Sequence, residues 1–265
     1  MKNFLTFDLE EWHDTASLEG WTAPPGTLKV FAPATELILD AIRPFTATFF
    51  VLACHAKENA PLLRRIVREG HEIALHGLDH TSMSRYSPER FREEIFSARK
   101  ILEDAAAAPV KGFRAPNFSM GEERRWAMDI LFSCGFEYDS SMTAFVGRSY
   151  REEGSVRIRE IPRGAAGPAE LLPFGGGAFL RLYPYNWTRS WIKDRNARGL
   201  RAMVYAHPWE FDARWMQVNG LPWRAKVLMG TRLSSMGPKL SALIAEFKFG
   251  SVREIMQEEL SGGKT

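Results

Sequence analysis

The sequence predicts an α/β fold whose mostly parallel sheet closes, or nearly closes, into a barrel. Three observations carry this expectation. Strand-like and helix-like segments alternate along nearly the whole chain, the signature of successive βα units. The length of 265 residues suits one α/β barrel. Side chains able to do chemistry fall where the predicted strands end, and that is the edge on which such barrels carry their sites.

The elements follow in order. Asn3-Phe4-Leu5-Thr6-Phe7 reads as a buried strand running into Asp8-Leu9-Glu10-Glu11-Trp12. A helix over Thr35–Ile42 and a buried strand over 47–52 come next. Helical periodicity returns over Pro61–Glu69, and Gly70 ends it before a strand at 71–75. Ser87-Pro88-Glu89 opens a helix: Ser as N-cap, Pro in the first turn and Glu near the positive end of the dipole, with continuation to about Ala106. A strand at 110–114 and a helix at 122–134 closed by Gly135 follow. Strands near 136–139 and 155–161, a helix at 186–198 and a strand at 201–206 complete the alternation. No repeat, linker or low-complexity tract interrupts it. One domain over residues 1–265 is therefore expected, with a helical extension from about residue 223.

Composition narrows the function. Apolar residues make up 45% of the chain, enough for a substantial core, and the net charge of +3 is mixed in sign along the sequence. No basic stripe interleaved with aromatics is present, so nucleic acid is not an expected partner; an anionic glycan or lipid phosphate is compatible. Cys54 and Cys134 lie eighty positions apart in apolar surroundings and read as buried free thiols. Met1-Lys2-Asn3 leads directly into the first strand, and every apolar run is broken by charge well short of ~20 residues. A cytoplasmic protein is the expectation. Residues 223–249 combine Lys226, Arg232, Lys239 and Lys248 with Trp223, Leu228, Leu233, Leu240, Leu243 and Phe247. Such a segment either packs on the domain with a solvated basic face or lies on an anionic membrane as a peripheral contact. Gly175-Gly176-Gly177 lacks the spacing and the following Lys-Ser/Thr of a phosphate loop, and reads as a tight turn or a close backbone approach beside a site.

Four strand ends carry the chemistry. His76-Gly77-Leu78-Asp79-His80 places two imidazoles four residues apart after an apolar strand, a spacing able to converge on one divalent metal. Asp8 and Glu10 point to the same side of an extended chain, so one can bind a metal while the other serves as a base. Glu11, facing the other way, is the rival metal carboxylate. Gly112-Phe113-Arg114 ends a strand in arginine, and Val204-Tyr205-Ala206-His207 ends another in histidine. His71 opens its strand and reads as structural, whereas His13 is near enough to the acidic motif to line the site. Trp12, Phe118, Trp209 and the group Tyr183, Tyr185 and Trp187 offer surfaces for stacking on sugar rings, of which one or two are expected to do so.

These segments resemble the polysaccharide deacetylase family, the NodB-homology or carbohydrate esterase family 4 enzymes. Phe7-Asp8-Leu9-Glu10 stands at the family's first acidic motif, His76-Gly77-Leu78-Asp79-His80 at its H-x-x-x-H, Arg114-Ala115-Pro116 at its R-x-P and Tyr205-Ala206-His207-Pro208 at its late histidine motif. Tyr138-Asp139-Ser140-Ser141, the segment Gly175 to Tyr185, His207-Pro208-Trp209-Glu210-Phe211-Asp212 and Ser251-Val252-Arg253-Glu254 liken it to a bacterial branch associated with exopolysaccharide gene clusters. Three departures stand out. Leu9 separates the two carboxylates, Gly77 replaces a hydroxyl residue that would brace the loop, and Tyr205 takes a leucine position, where it would narrow the acetyl pocket or lend it a hydroxyl.

The resemblance implies a distorted (β/α) barrel with fewer than eight regular units. It also implies a metal-dependent hydrolase that removes N-acetyl groups from an amino-sugar-containing glycan or glycan precursor, lipid-linked precursors included. Glu10, His76 and His80 would hold the metal, with zinc first and cobalt or nickel as substitutes. Asp8 would be the general base, Arg114 its orienting partner, and His207 the general acid. Asn117, through its backbone N–H, together with Phe118 and Trp209 would meet the substrate. Asp139 would orient His207 or Arg114, or cap a turn. The alternatives are hydrolysis of another C–N bond, such as a formamide or cyclic ureide, and a catalytically silent glycan-binding protein.

Overall fold

The computed structural model describes residues 1–121, 126–142, 159–161, 165–166 and 172–262. The expected strand at 155–161 and the start of the expected helix at 122–134 lie partly outside those residues. Two compact units are distinguished: residues 1–49, 70–72 and 174–265 in the first, 50–69 and 73–173 in the second.

The first unit opens with β1 (Lys2–Leu9), buried along almost its whole length. The strand runs two residues past the end of its apolar run, so Asp8 belongs to the strand itself. Alternation beyond its end sends Glu10 and Glu11 to opposite sides. Both oxygens of Glu11 accept backbone N–H groups, from Val30 at 2.9 Å and Phe31 at 3.1 Å. Those are donors at the start of α1 (Phe31–Ala41), which lacks a side-chain cap of its own at Val30. A carboxylate against the positive end of a helix is favourable on both counts, hydrogen bonding and dipole. This explains why α1 starts four residues ahead of the sequence expectation: its cap comes from twenty positions upstream.

Next come β2 (Thr48–Val51), α2 (Ala60–Arg68) and β3 (Glu72–Leu75). His71 is buried just before β3, and its Nδ1 accepts the Ala47 N–H at 3.2 Å, a structural role. Within the second unit, α3 (Pro88–Ala106) begins as expected, with Ser87 Oγ accepting from Arg90 N. It precedes β4 (Gly112–Phe113), α4 (Trp126–Ser133), β5 (Tyr138–Asp139), β6 (Arg159–Glu160) and the antiparallel pair β7 (Ala165–Ala166) and β8 (Leu172–Pro173). Cys54 is exposed in the turn after β2 and Cys134 is partly exposed at the end of α4, so neither thiol is buried as the apolar context suggested.

Back in the first unit, α5 (Gly177–Leu182), α6 (Tyr185–Ala197) and β9 (Met203–Ala206) follow. The chain after residue 222 is not one amphipathic run: it breaks into α7 (Trp223–Gly230), α8 (Met236–Glu246), β10 (Lys248–Gly250) and α9 (Val252–Gly262). Of the residues expected on one face, Leu233, Leu240 and Leu243 are buried, and Lys239 donates to the carbonyls of Leu180, Arg181 and Tyr183 at 2.7–2.9 Å. A cation there closes the negative end of α5.

The main sheet has eight strands in the order β10-β1-β2-β3-β4-β5-β6, with β9 also paired to β1. All the registers established within it are parallel. β10 pairs with β1 through Phe4↔Gly250, so the segment expected as a helical extension also supplies a strand. No described helix is long and apolar enough to cross a membrane.

Glu11→Ala leaves two buried N–H groups of α1 without an acceptor and is expected to cost about 3 kcal/mol of stability, read from urea unfolding. An unchanged midpoint would show that α1 does not rely on this cap.

Candidate active site

In the first unit, the register of β1 and β9 gathers a group of ionisable side chains. Phe7 pairs with Ala206, so the next residue of each strand, Asp8 and His207, emerges at the same level. His207 Nε2 lies 4.0 Å from Asp8 Oδ2 and 4.0 Å from Glu10 Oε1. Its Nδ1 lies 2.9 Å from Glu210 Oε2, the same oxygen that accepts the His207 backbone N–H at 3.0 Å. A carboxylate is an acceptor, so Nδ1 carries the proton and Nε2 is the atom turned toward the acidic pair. Glu210 is fixed in turn by Arg181: Nε donates to Oε1 at 2.7 Å, with both side chains almost fully buried. Arg181 also donates to the carbonyls of Met229, at 2.7 Å, and Thr231.

Desolvation alone would lower the His207 pKa. The hydrogen bond to Glu210 and the charges of Glu10, Glu210 and Asp8 outweigh it and push the pKa up to about 9. Trp209 stacks on the imidazole, with centroids 5.1 Å apart and planes at 18°, and its Nε1 donates to Glu10 Oε1 at 3.2 Å. At 6% exposure its ring is committed to His207 and to the core around Trp12 and Trp215. Trp209, expected as a platform for a sugar ring, thus has its ring packed within the protein. Trp12 is also core, fully buried and bonded to the Leu28 carbonyl. His13 turns toward Asp14, 3.7 Å away.

The glycine segment does approach a backbone closely. A Cβ on Gly175 would stand 2.2 Å from the Met203 carbonyl, and one on Gly176 would meet the Tyr205 ring at 2.1 Å. Tyr205 fills that space with its ring near-perpendicular to His207. Tyr183, Trp187 and Trp191 pack on one another, and Trp187 is half exposed. Tyr185 bonds to Glu246.

In the second unit, a further group of side chains stands at the ends of β3 and β4. His76 is buried, and its Nδ1 lies 2.8 Å from the Arg114 carbonyl. A carbonyl only accepts, so Nδ1 is the protonated nitrogen and Nε2 keeps its lone pair, the tautomer a metal ligand needs. His80 lies with its ring 5.7 Å from that of His76. The turn between them does not require a hydroxyl brace. Gly77 takes φ +103°, and the Gly77 and Leu78 carbonyls accept from Ala53 and Cys54 N–H at 2.9 and 2.8 Å. The Arg114 guanidinium lies 3.9 Å from the Phe50 ring centroid and donates to Ser140 Oγ at 3.0 Å. Asp139 accepts from Ser141 N and Oγ, and His207 takes Glu210 as its Nδ1 partner. Asn117 and Phe118 both adopt positive φ, 58° and 51°, a conformation costly for residues with a Cβ and frequent at working sites.

His76 and His80 offer imidazole nitrogens from one turn, and Glu10 offers a carboxylate just past the end of β1. Two imidazoles and a carboxylate form a donor set suited to a borderline divalent ion. With both Glu11 oxygens on α1, the acidic motif offers Glu10 to that group.

Comparison with known proteins places the chain in a family. The polysaccharide deacetylase profile matches residues 31–138, and a domain of unknown function, DUF3473, matches 139–257. Over 180 residues the chain is 35% identical to a chitooligosaccharide deacetylase of Bradyrhizobium sp. (strain ANU 289), covering 66% of this chain and 76% of that relative. The chain belongs to the polysaccharide deacetylase family. It spans less than half the length of two further curated relatives. In fold it is similar to a Mycobacterium smegmatis protein assigned to the polysaccharide deacetylases (TM-score 0.63, 20% identity, 99% of this chain and 91% of that one). It is also similar to PuuE allantoinase (TM-score 0.60, 16% identity, 96% and 88%). The α/β fold is thus the curled, parallel half-barrel of this deacetylase family. Membership supports glycan N-deacetylation.

In the metal-free protein the His207 imidazole is expected to titrate near 9 by NMR, remaining charged at neutral pH. Glu210→Gln should bring it down toward the ordinary histidine value; an unmoved titration would remove Glu210 from this role. Arg181→Met leaves Glu210 buried beside His207 alone, and should cost about 3–5 kcal/mol in thermal or urea unfolding.

Proposed function

We propose that this deacetylase-family protein hydrolyses the N-acetyl amide of an amino-sugar-containing glycan with the aid of a divalent metal, zinc by preference and cobalt or nickel in substitution. The observation that carries the reading is the company kept by His207: Asp8 and Glu10 near Nε2, and a buried Glu210 on Nδ1.

Glu10, His76 and His80 would hold the metal. When bound, a divalent ion supplies Lewis acidity, lowering the pKa of water and polarising a carbonyl. Asp8 takes the proton of the attacking water as general base. His207, held charged by its carboxylate neighbours, delivers the Nε2 proton to the departing amine nitrogen, which leaves badly unless protonated. Glu210 keeps the Nδ1–H in place through that exchange, and Arg181 keeps Glu210 in place. The Asn117 N–H, presented by the strained turn 116–118, donates to the developing oxyanion, and Phe118 flanks the acetyl group. Arg114 orients Asp8. Trp209 acts on the chemistry through Glu10 and His207.

The likeness to PuuE allantoinase supports one second reading, attack on a cyclic ureide. Product analysis separates the two. With N-acetylated chitooligosaccharides and added zinc, cobalt or nickel, acetate release is expected; ring opening of a ureide without acetate would favour the second reading. Asp8→Asn is expected to lower kcat by about 10²–10⁴-fold with metal content unchanged, whereas His76→Ala should lose metal and activity together. Full activity in Asp8→Asn would refute the general-base assignment.

A further inference from the structure

Helix α7 hides one side and leaves an unusual set of side chains outside. Ala225 and Met229, one turn apart, are buried. Trp223, Val227 and Leu228 are 70, 58 and 59% exposed. Leu182 adds a fourth exposed apolar side chain, and its carbonyl accepts from Arg232 Nη1 at 3.5 Å. Isolated apolar residues on a surface need no explanation; a Trp, a Val and a Leu on one eight-residue helix do.

Charge narrows the occupant. Arg224, Lys226 and Arg232 are exposed around these residues, and the Arg224 guanidinium lies 5.5 Å from the Trp223 ring centroid. No Asp or Glu occurs between Asp212 and Glu246. The helix and the turn after it thus carry apolar and cationic side chains and no acidic one, the combination that settles at the boundary between headgroups and acyl chains of an anionic bilayer. A second copy of the same face would oppose cation with cation. The helix is also held firmly from behind. The Met229 and Thr231 carbonyls accept from the buried Arg181, and Thr15 Oγ lies 3.5 Å from the Met229 sulfur. A face so anchored is presented without an ordering cost at binding.

We propose that the outer face of α7 seats this protein peripherally on an anionic lipid surface. Trp223, Val227 and Leu228 enter the interface, while Arg224, Lys226 and Arg232 meet lipid phosphates. This assignment narrows the broad basic stretch 223–249 to one helix and its following turn, and it stands independently of the deacetylation reading.

The test is co-sedimentation of the full chain with sucrose-loaded vesicles, either phosphatidylcholine alone or an equimolar mixture with phosphatidylglycerol. Three cations at the surface predict partitioning on the order of a hundredfold stronger onto the mixed vesicles. The double variant Trp223→Ser/Leu228→Ser alters exposed side chains and should keep its thermal midpoint while binding about tenfold more weakly or worse. The triple variant Arg224→Gln/Lys226→Gln/Arg232→Gln should abolish the difference between the two vesicles. Equal partitioning of the native chain onto both vesicles would overturn the proposal, as would variants that bind like the native chain. A dimer in sedimentation that the double variant dissolves would assign the face to a second copy and also overturn it.

Discussion

The site rests on an electrostatic constraint: three carboxylates, Asp8, Glu10 and Glu210, are each about 2% exposed and gathered around one imidazole. Taking an ionised carboxylate out of water costs several kcal/mol unless a cation or hydrogen bonds replace the lost hydration. The fold answers at each position. Glu210 is sandwiched between Arg181 and His207, His207 is drawn into its charged form, and Glu10 receives the Trp209 indole N–H. The parallel register of β1 and β9 makes the gathering unavoidable, because it brings out Asp8 and His207 side by side. A divalent metal at Glu10 fits the same logic, as a further positive charge among buried anions.

Much of this was legible in the sequence because strand alternation is local. The period of two placed Asp8 and Glu10 together and set Glu11 apart, and the structure uses Glu11 for α1. The His76 and His80 pair stood out as spacing after an apolar strand, and the close approach of Gly175 and Gly176 as a glycine run. What escaped depends on distant contacts. The beginning of α1 is set by a carboxylate twenty residues away. Arg181 lay unremarked in the segment GAFLRL, since nothing local says that its charge is buried. Glu210 carried a usable signal, three residues after His207 in a tight turn where a side chain can fold back onto its own loop. The segment after 222 misled because Leu233, Leu240 and Leu243 share hydrophobicity with Trp223 and Leu228 but not their exposure.

The matched families divide the candidate residues in an informative way. His76, His80 and Arg114 fall within the stretch matched to the polysaccharide deacetylases, while Arg181, His207 and Glu210 fall within the domain of unknown function. Asp8 and Glu10 precede both. The segment of unknown function thus carries His207 and the buried ion pair of Arg181 and Glu210 behind it. The fold alone does not choose the substrate, since an allantoinase shares it.

The most direct measurement is anomalous diffraction from crystals grown with zinc, read at the zinc edge. The account predicts one strong peak bonded to His76 Nε2, His80 and a Glu10 oxygen, with Glu11 still on the backbone of α1. A peak held by other residues, or a zinc-saturated protein with no metal at this group, would contradict it.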